Sequence, residues 1–315
     1  GSPLMTIAPL TSRRNFLAGG LAAGIASATV SQPTVSSAAN PPGRNGKSHM
    51  KLSLAGYSFN RLLPKRPTPE QEKSAKMTMD GFIRFCADQD LDGIEPTTYY
   101  FPKTVTHEYL MHMKELSFRL GLDISGTAIG NDFCVAEGPG REKQLADARQ
   151  WIDHAAVLGA PAIRIFAGRV PKGDTEAVAI ERCIDGINQV LEHAEKRGVF
   201  LALENHGGIT ATPAQMMRTI KGVRDSRFFG VNLDGGNFRT DDPYRDMAVI
   251  APYAVNAQVK VSIFRGEKKE PADLERVIKI LRDADYRGYV VLEYEESDPL
   301  GEIPGYLKQL RQLIS

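Results

Sequence analysis

Residues 193–204 read HAEKRGVFLALE, and they join the end of a predicted helix to a predicted strand at Gly198. A glycine is a common end of a helix, and a short apolar run after it is typical of a buried strand. The same order recurs around Gly121, Gly159 and Gly288. Four such junctions indicate repeated αβ units built around a parallel sheet.

From Met50 onward, short β-rich runs alternate with segments of helical period. Eight candidate strands predict a closed (β/α)₈ TIM barrel, an α/β fold, as a single catalytic domain over residues 50–315. A doubly wound open sheet is the alternative, but no glycine-rich phosphate loop follows an early strand. We place the strands at residues 51–58, 91–95, 122–126, 161–166, 199–204, 228–234, 254–261 and 289–294, and a last helix at 302–314.

The first 39 residues are expected to be a cloning remnant, GSPLM, followed by a twin-arginine export signal. SRRNFL at residues 12–17 precedes an apolar run that is too short for a confident membrane span, and residues 37–39 offer a small-residue cleavage site. We therefore predict a periplasmic or extracellular protein without a stable membrane anchor, with residues 40–49 as a flexible lead-in. The alternative is an unstructured tail that happens to contain two arginines.

The overall charge is nearly balanced, with 39 Lys+Arg against 38 Asp+Glu. This balance argues against a nucleic-acid-binding surface, so we expect a small-molecule partner. The three cysteines, Cys86, Cys134 and Cys183, are widely spaced and are interpreted as buried small hydrophobes. A homo-oligomer remains possible on composition alone.

Four polar residues lie at the carboxyl ends of the last four predicted strands, where barrel active sites are built. They are Glu204, Asp234, Gln258 and Glu293. Such groups are costly between apolar neighbours unless they are paired, and a cation is an economical partner. Three carboxylates and one amide oxygen predict one divalent metal ion, Mn²⁺ before Mg²⁺ or Co²⁺. The alternative is a salt-bridge network with arginines at the barrel mouth.

The four predicted ligands leave two octahedral positions for adjacent hydroxyl and carbonyl oxygens of a substrate. Such chelation acidifies the neighbouring C–H bond and favours chemistry through a metal-bound enediolate. Glu204 and Glu293 come from strands three apart around the ring. They are therefore the expected base and acid on opposite faces of the substrate, with Asp234 and Gln258 as ligands only.

Six further residues are candidate substrate contacts. His206 and Lys260 each lie two residues beyond a predicted ligand, and side chains two apart on a strand face the same way. His206 is equally explained as a loop histidine, and Lys260 as a structural ion-pair partner. Glu95 has two open interpretations: it hydrogen-bonds the substrate, or it braces the barrel mouth. The remaining candidates are Asn237, Arg265 and Tyr57.

At these residues the chain resembles the xylose-isomerase-like barrels, specifically the sugar phosphate isomerase/epimerase group that includes ketose 3-epimerases, hydroxypyruvate isomerase and inosose dehydratase. The likeness covers about residues 51–312. It implies a metal shell of Glu204, Asp234, Gln258 and Glu293, with the glutamates as the acid/base pair. Gln258 with an arginine seven residues later is similar to hydroxypyruvate isomerases, whereas the following GEKKEPADLE and the DGGN at 234–237 depart from the family patterns.

Three functions remain open from the sequence. The first is a metal-dependent isomerase or epimerase of an unphosphorylated sugar or sugar derivative, because an export route has little use for phosphorylated substrates. The second is a metal-dependent lyase or dehydratase, in which the same base starts a β-elimination on a keto-sugar or 3-oxo-glycoside. The third is a non-catalytic sugar-binding barrel with a structural metal.

Overall fold

Parallel strands with helices between them form the centre of the molecule in the computed structural model, which describes residues 46–315. The predicted export signal and its cleavage site lie outside the described residues. In chain order the strands are β1 (Met50–Ala55), β2 (Gly93–Glu95), β3 (Asp123–Ile124), β4 (Thr127–Ala128), β5 (Ala162–Ile165), β6 (Phe200–Glu204), β7 (Phe229–Asp234), β8 (Arg239–Thr240), β9 (Ala254–Val259), β10 (Ser262–Arg265), β11 (Lys268–Pro271) and β12 (Gly288–Leu292).

Helices connect the strands and cover the outside of the sheet. They are α1 (Pro69–Lys73), α2 (Met79–Asp88), α3 (His107–Arg119), α4 (Pro139–Leu158), α5 (Glu176–Arg197), α6 (Pro213–Gly222), α7 (Pro243–Ile250), α8 (Leu274–Asp283) and α9 (Pro299–Ile314). Within residues 46–315, no helix is long and apolar enough to cross a membrane.

The strand order confirms the predicted barrel. Nine of the described strands form one parallel sheet in the order β3-β2-β1-β12-β9-β7-β6-β5-β4. The two ends of that order are consecutive pieces of one chain segment, since β3 pairs with β2 and β4 pairs with β5. A bridge between Thr97 and Ala128 adds a further contact at the junction. The sheet is therefore a nearly closed barrel of the (β/α)₈ type.

The third predicted strand, 122–126, is wrong as one continuous strand. The segment changes its pairing partner from β2 to β5 at Ser125 and Gly126. Ser125 donates its hydroxyl to the Ile94 carbonyl, and a Cβ on Gly126 would lie 3.4 Å from the Ala162 carbonyl oxygen. This small pair lets the backbone shift between two neighbours, which hydrophobic periodicity does not reveal.

The first predicted strand, 51–58, ends earlier than expected. It gives way at Ala55 to a 3₁₀ turn over Gly56–Phe59. The Thr97 hydroxyl accepts a hydrogen bond from the Tyr57 amide at 3.1 Å, so this amide does not take part in strand pairing. The last helix begins before the predicted residue 302, because Asp298 caps it by accepting from the Gly301 amide at 2.9 Å.

Three of the four junction glycines have the expected left-handed backbone. The φ angles of Gly121, Gly159 and Gly198 are +77°, +86° and +69°. Gly288 differs, because Asp285 takes the positive φ after α8 and Gly288 opens β12. A side chain on Gly288 would meet the Tyr286 ring. Close packing rather than backbone conformation therefore requires that glycine.

The strands of the barrel are buried on both faces. All four residues of β5 and all six residues of β7 are buried. Each fully buried leucine or isoleucine contributes about 1.5–3 kcal/mol through the apolar area it removes from water. The three cysteines are free and buried, as predicted. The strands pack against helices on one face and against the barrel interior on the other. This packing fixes the positions of the strand ends.

A second, smaller sheet was missed by the sequence analysis. It has the order β11-β10-β8, with β10 and β11 antiparallel and β10 and β8 parallel. Its strands are short and polar, and KKEP over Lys268–Pro271 has the composition of a loop. The predicted strand 254–261 ends at Val259, and β10 of the second sheet begins three residues later at Ser262.

Candidate active site

The four predicted ligands meet at the carboxyl end of the barrel. Glu204 is the last residue of β6, Asp234 is the last of β7, and Glu293 follows β12 directly. Asp234 and Gln258 are register partners on neighbouring strands. All four side chains are buried. Strand register therefore brings together four groups separated by 89 positions in the sequence, from 204 to 293.

Lys260 lies among three of the mouth carboxylates. Its Nζ is 3.2 Å from Asp234 Oδ2, 3.4 Å from Glu293 Oε1 and 3.1 Å from Glu295 Oε1. Burial alone would lower its pKa, but the surrounding negative charges raise the pKa of Lys260 well above its ordinary value. The side chain is thus a permanent cation within the site.

Arg164, a residue that the sequence analysis missed, balances Glu204 from inside the barrel. Its Nε faces Glu204 Oε2 at 2.9 Å, and its Nη1 donates to the Ile129 carbonyl at 2.9 Å. Its Nη2 donates to the Tyr99 hydroxyl at 3.3 Å. The only signal was an arginine within the apolar run AIRI of β5. A charge at that position requires a buried partner, which is an inference the sequence permits.

Buried amides brace Gln258 from below. Asn232 donates to the Gln258 carbonyl oxygen at 2.7 Å, and Gln258 donates its own amide to Glu95. Asn256 donates to the other oxygen of Glu95 at 2.7 Å. Burial raises the pKa of Glu95, while the two amide hydrogen bonds lower it in part. Glu95 is fully buried, and its described contacts are those of a residue that braces the mouth, while a substrate contact stays a prediction.

Two asparagines hold the remaining carboxylates in place. Asn205 accepts from the Asp234 amide at 2.8 Å and donates to its carbonyl at 3.0 Å, which fixes the end of β7. Asn237 donates to Glu204 Oε1 at 2.9 Å and accepts from Lys260 at 3.2 Å. Asn237, a predicted substrate contact, therefore links the two charged halves of the site.

Burial is the main cause of the raised pKa values of Glu204, Asp234 and Glu293. It raises the pKa of Glu204 to about 7 and that of Asp234 to about 7, against the opposing charges of Arg164 and Lys260. Burial likewise raises the pKa of Glu293 to about 8. Groups in this state gain stability from a bound proton or a bound cation.

The donor set suits a hard divalent cation in its chemistry. Three carboxylates and an amide oxygen are oxygen ligands, and Asp234 Oδ2 is buried without a hydrogen-bond partner among the described residues. The Gln258 oxygen uses one lone pair for Asn232 and retains a second. Within residues 46–315, however, no three His, Cys, Asp or Glu side chains are grouped as a metal cage. Lys260 and Arg164 supply the cations next to the carboxylates instead.

Two other predicted contacts lie near the mouth. Tyr57 packs edge to face on Tyr99 with ring centroids 6.3 Å apart, and burial together with the charges of Glu295 and Glu293 raises its pKa. His206 is exposed and stacks on Phe166 with ring centroids 4.1 Å apart. Desolvation of the ring face that packs on Phe166, together with the nearby cations, lowers the pKa of His206 although the other part of the side chain is exposed.

The described hydrogen bonds and ion pair of Arg265 join it to the second sheet and the adjoining Asp241. It is on β10 and not in a loop, and its Nε pairs with Glu270 on β11 at 2.8 Å. Its Nη1 donates to the Asp241 carbonyl at 2.9 Å. The guanidinium therefore ties β10 to β11 and to the Asp241 backbone, and its role as a substrate contact stays a prediction.

Comparisons with known proteins agree with this geometry. The model of a family described as xylose isomerase-like TIM barrel matches residues 83–314. No curated protein sequence matches the chain. Among solved structures, the chain is similar to 3-keto-D-glucoside 4-epimerase from E. coli in its apo form, with 16% identity and a TM-score of 0.62 over 84% of this chain and 99% of that chain.

Two further solved structures are similar. D-psicose 3-epimerase from Clostridium cellulolyticum H10, solved with D-tagatose, has 16% identity and a TM-score of 0.63 over 82% of this chain and 89% of that chain. A xylose isomerase-like TIM barrel protein from Mycobacterium smegmatis in complex with magnesium has 19% identity and a TM-score of 0.64 over 84% of this chain and 96% of that chain. At such identities the likeness establishes the fold alone.

Proposed function

Because the chain belongs to the xylose isomerase-like TIM barrel family, we propose that it is an isomerase or epimerase of an unphosphorylated sugar or sugar derivative. One observation supports this most directly. Two buried glutamates, Glu204 and Glu293, stand at the carboxyl end of the barrel and are linked through Asn237 and Lys260. Two carboxylates held at one mouth can act as base and acid on a bound substrate.

Glu204 and Glu293 are the proposed base and acid. One glutamate removes the proton from the carbon next to the substrate carbonyl, and the electron pair left behind forms an enediolate. Return of a proton to the opposite face of the same carbon inverts it. Return to the neighbouring carbon, with transfer of the hydroxyl proton to the former carbonyl oxygen, moves the carbonyl. The proton count balances, so no oxidant or reductant is required.

A divalent metal ion is part of the proposal, Mn²⁺ first and Mg²⁺ or Co²⁺ as alternatives. Glu204, Asp234, Gln258 and Glu293 would hold it through oxygen atoms. Asp234 Oδ2 accepts no hydrogen bond but faces Lys260 Nζ at 3.2 Å, so the ion would compete with that pair. Such an ion polarises a carbonyl oxygen. The magnesium complex of the Mycobacterium smegmatis protein is consistent with a cation in barrels of this kind.

The neighbouring side chains have positioning parts in the proposal. Arg164 and Asn237 hold Glu204 from two sides, so its carboxylate keeps one orientation. Lys260 offers a charged donor to substrate hydroxyls at the mouth. The preference for an unphosphorylated sugar rests on the twin-arginine pattern at residues 12–17 and stands as a proposal with periplasmic or extracellular location.

Deuterium exchange tests the proposed function. The full chain, loaded with Mn²⁺ or Mg²⁺, is incubated with ketoses and 3-oxo-glycosides in D₂O, and deuterium incorporation and product mass are followed. We expect incorporation without loss of a substituent, and a drop in rate of roughly 10²–10⁴-fold in Glu204→Gln and Glu293→Gln. Glu192→Gln, an exposed glutamate on α5, is the matched control.

Other outcomes separate the rival functions. Incorporation together with loss of water or an aglycone would identify elimination. Ligand binding with no exchange from any member of the panel would contradict an enzyme and support a sugar-binding barrel.

A further inference from the structure

A cavity of about 180 Å³ lies beside the candidate active site, between the loops that follow β4, β5 and β6. Its wall includes Asp132, Phe166, Arg169, His206 and Thr210. Sites for whole drug-sized ligands usually occupy about 300 Å³ or more. The cavity therefore has room for roughly one ring, and the proposed chemistry does not use it.

The wall of this cavity contains a stack of three planar groups. The Arg164 guanidinium carbon lies 3.9 Å from the centre of the Phe166 ring, and the His206 ring centre lies 4.1 Å from it at an angle of 34°. Both groups are at stacking distance from the Phe166 ring. His206 is exposed and ends the stack on the side of the cavity.

Hydrogen bonds fix the backbone of Phe166 and His206, whose rings stack. Asn131 donates to the Phe166 carbonyl at 2.7 Å and accepts from the Phe166 amide at 2.9 Å. The Thr210 hydroxyl accepts from the His206 amide at 3.1 Å and donates to the Gly207 carbonyl at 2.9 Å. The stack is therefore in place before any ligand arrives, which reduces the entropy lost on binding.

Close packing of two loops gives the cavity a rigid floor. Gly168 lies in the loop after β5 with a φ of +118°, and Gly208 lies in the loop after β6 with a φ of +55°. A side chain on Gly208 would clash with the Gly168 carbonyl oxygen. The Ile209 amide donates to that same carbonyl at 3.3 Å. The two loops thus form one surface.

The position of the cavity relates it to the candidate acid/base pair. His206 lies two residues after Glu204, whose carboxylate is fixed by Arg164, the first member of the stack. A ring on His206 would therefore adjoin a substrate held at Glu204. The polar wall residues Asp132, Arg169 and Thr210 suit the hydroxyl groups of a sugar better than a hydrocarbon.

We propose that this cavity binds a second sugar ring against His206, so that the substrate is a glycoside of two linked rings. The inference rests on the proposed function, because it assigns the reacting ring to Glu204 and Glu293. Aromatic rings bind the apolar face of a flat partner, while the polar rim satisfies the groups at its edge.

Calorimetric binding tests the cavity without requiring turnover. The full chain in Mg²⁺ is titrated with D-glucose, with the disaccharides cellobiose, maltose and lactose, and with phenyl β-D-glucoside. We expect at least one disaccharide to bind about tenfold more tightly than glucose, as one added stacked ring provides. In His206→Ala that preference falls to about threefold or less, whereas His206→Phe retains it.

A histidine outside the cavity provides the matched control. His193 on α5 pairs with Asp153 on α4, and His193→Ala is expected to keep the disaccharide preference. The proposal is overturned if no disaccharide binds more tightly than glucose, or if His206→Ala keeps the full preference. Tighter binding of phenyl β-D-glucoside than of every disaccharide overturns the assignment to a sugar ring.

The exchange experiment keeps the two proposals distinguishable. A His206-dependent disaccharide preference without deuterium exchange retains the cavity assignment and rejects the enzyme. Exchange on monosaccharides with no disaccharide preference retains the enzyme and rejects the second-ring site.

Discussion

The two ends of the barrel treat carboxylates in opposite ways. At the carboxyl end, burial raises the pKa of Glu204 and Asp234 to about 7 each. At the amino end, Asp123 is exposed, and hydrogen bonds from Tyr289 and Lys51 lower its pKa. Desolvation opposes ionisation of the carboxyl groups at the carboxyl end. At the amino end, hydrogen bonds from neighbouring residues favour ionisation of Asp123.

The sign of each shift decides its effect on stability. A carboxyl group whose folded pKa is raised holds its proton more tightly in the folded state, so stability falls as the pH rises from its unfolded pKa toward about 7. A carboxyl group whose folded pKa is lowered adds stability above its unfolded pKa. The mouth therefore costs stability at neutral pH and the opposite end adds to it, as expected when one end of a barrel is functional.

Removal of the Arg164 charge is expected to have the largest effect. Arg164→Met leaves the buried Glu204 carboxylate without its cation, and breaking a buried ion pair in this way costs about 3–5 kcal/mol. Urea unfolding at pH 8 measures the loss. The double variant with Glu204→Gln is expected to recover part of it, and a loss below about 1 kcal/mol in the single variant contradicts the pairing.

Metal addition is expected to act on the mouth alone. A divalent ion that binds the folded state raises the free energy of unfolding by about 2.7 kcal/mol at a concentration of 100 times its dissociation constant. Thermal unfolding with Mn²⁺ or Mg²⁺, compared with EDTA, measures this gain. Asp234→Asn is expected to lose most of the gain and Asp123→Asn to keep it, whereas equal gains in both variants would argue against these ligands.

Lys260→Met is expected to destabilise the protein less than Arg164→Met. Its neighbours Asp234 and Glu293 can take up a proton near neutral pH, so the cost is about 1–3 kcal/mol, as for a buried polar group left without a partner. Urea unfolding at pH 6 and pH 8 checks this, with a larger loss at pH 8. An equal loss at both pH values would indicate that protonation does not compensate.

Asp123→Asn is expected to have the smallest effect. Its partners are exposed, and pairs of this kind contribute less than about 1 kcal/mol. The lowered pKa means that the contribution is present above the unfolded pKa near 3.8 and is lost as the pH falls below it. Unfolding measured between pH 2 and pH 6 tests the direction, and a variant difference that grows toward low pH would be the wrong sign.

Much of the fold follows from local patterns. Seven of the eight predicted strands have one counterpart in the barrel, because short apolar runs between helical segments indicate buried parallel strands. The eighth, 122–126, is split because Ser125 and Gly126 let the chain change neighbours. The hydrophobic periodicity of the segment does not reveal this change of pairing strand.

The sequence predicted which acidic residues lie at the barrel mouth, but it did not predict all of the side chains that contact them. Glu204 and Asp234 could be placed because each ends an apolar strand. Arg164 was missed because it lies within such a strand and its partner comes from the next one. The strand that contains Arg265 was missed because its segment has the composition of a loop, and pairing with β11 orders it.

The sequence by itself determined the barrel class, the strand ends and the identity of the acidic groups, because these depend on alternation, turn chemistry and order along the chain. Tertiary structure alone decided which cation faces each carboxylate and which rings stack. Those contacts join strands and loops far apart in sequence, such as Lys260 with Glu293 and Asn131 with Phe166. Electrostatic state and pocket shape depend on distances that close only when the barrel does.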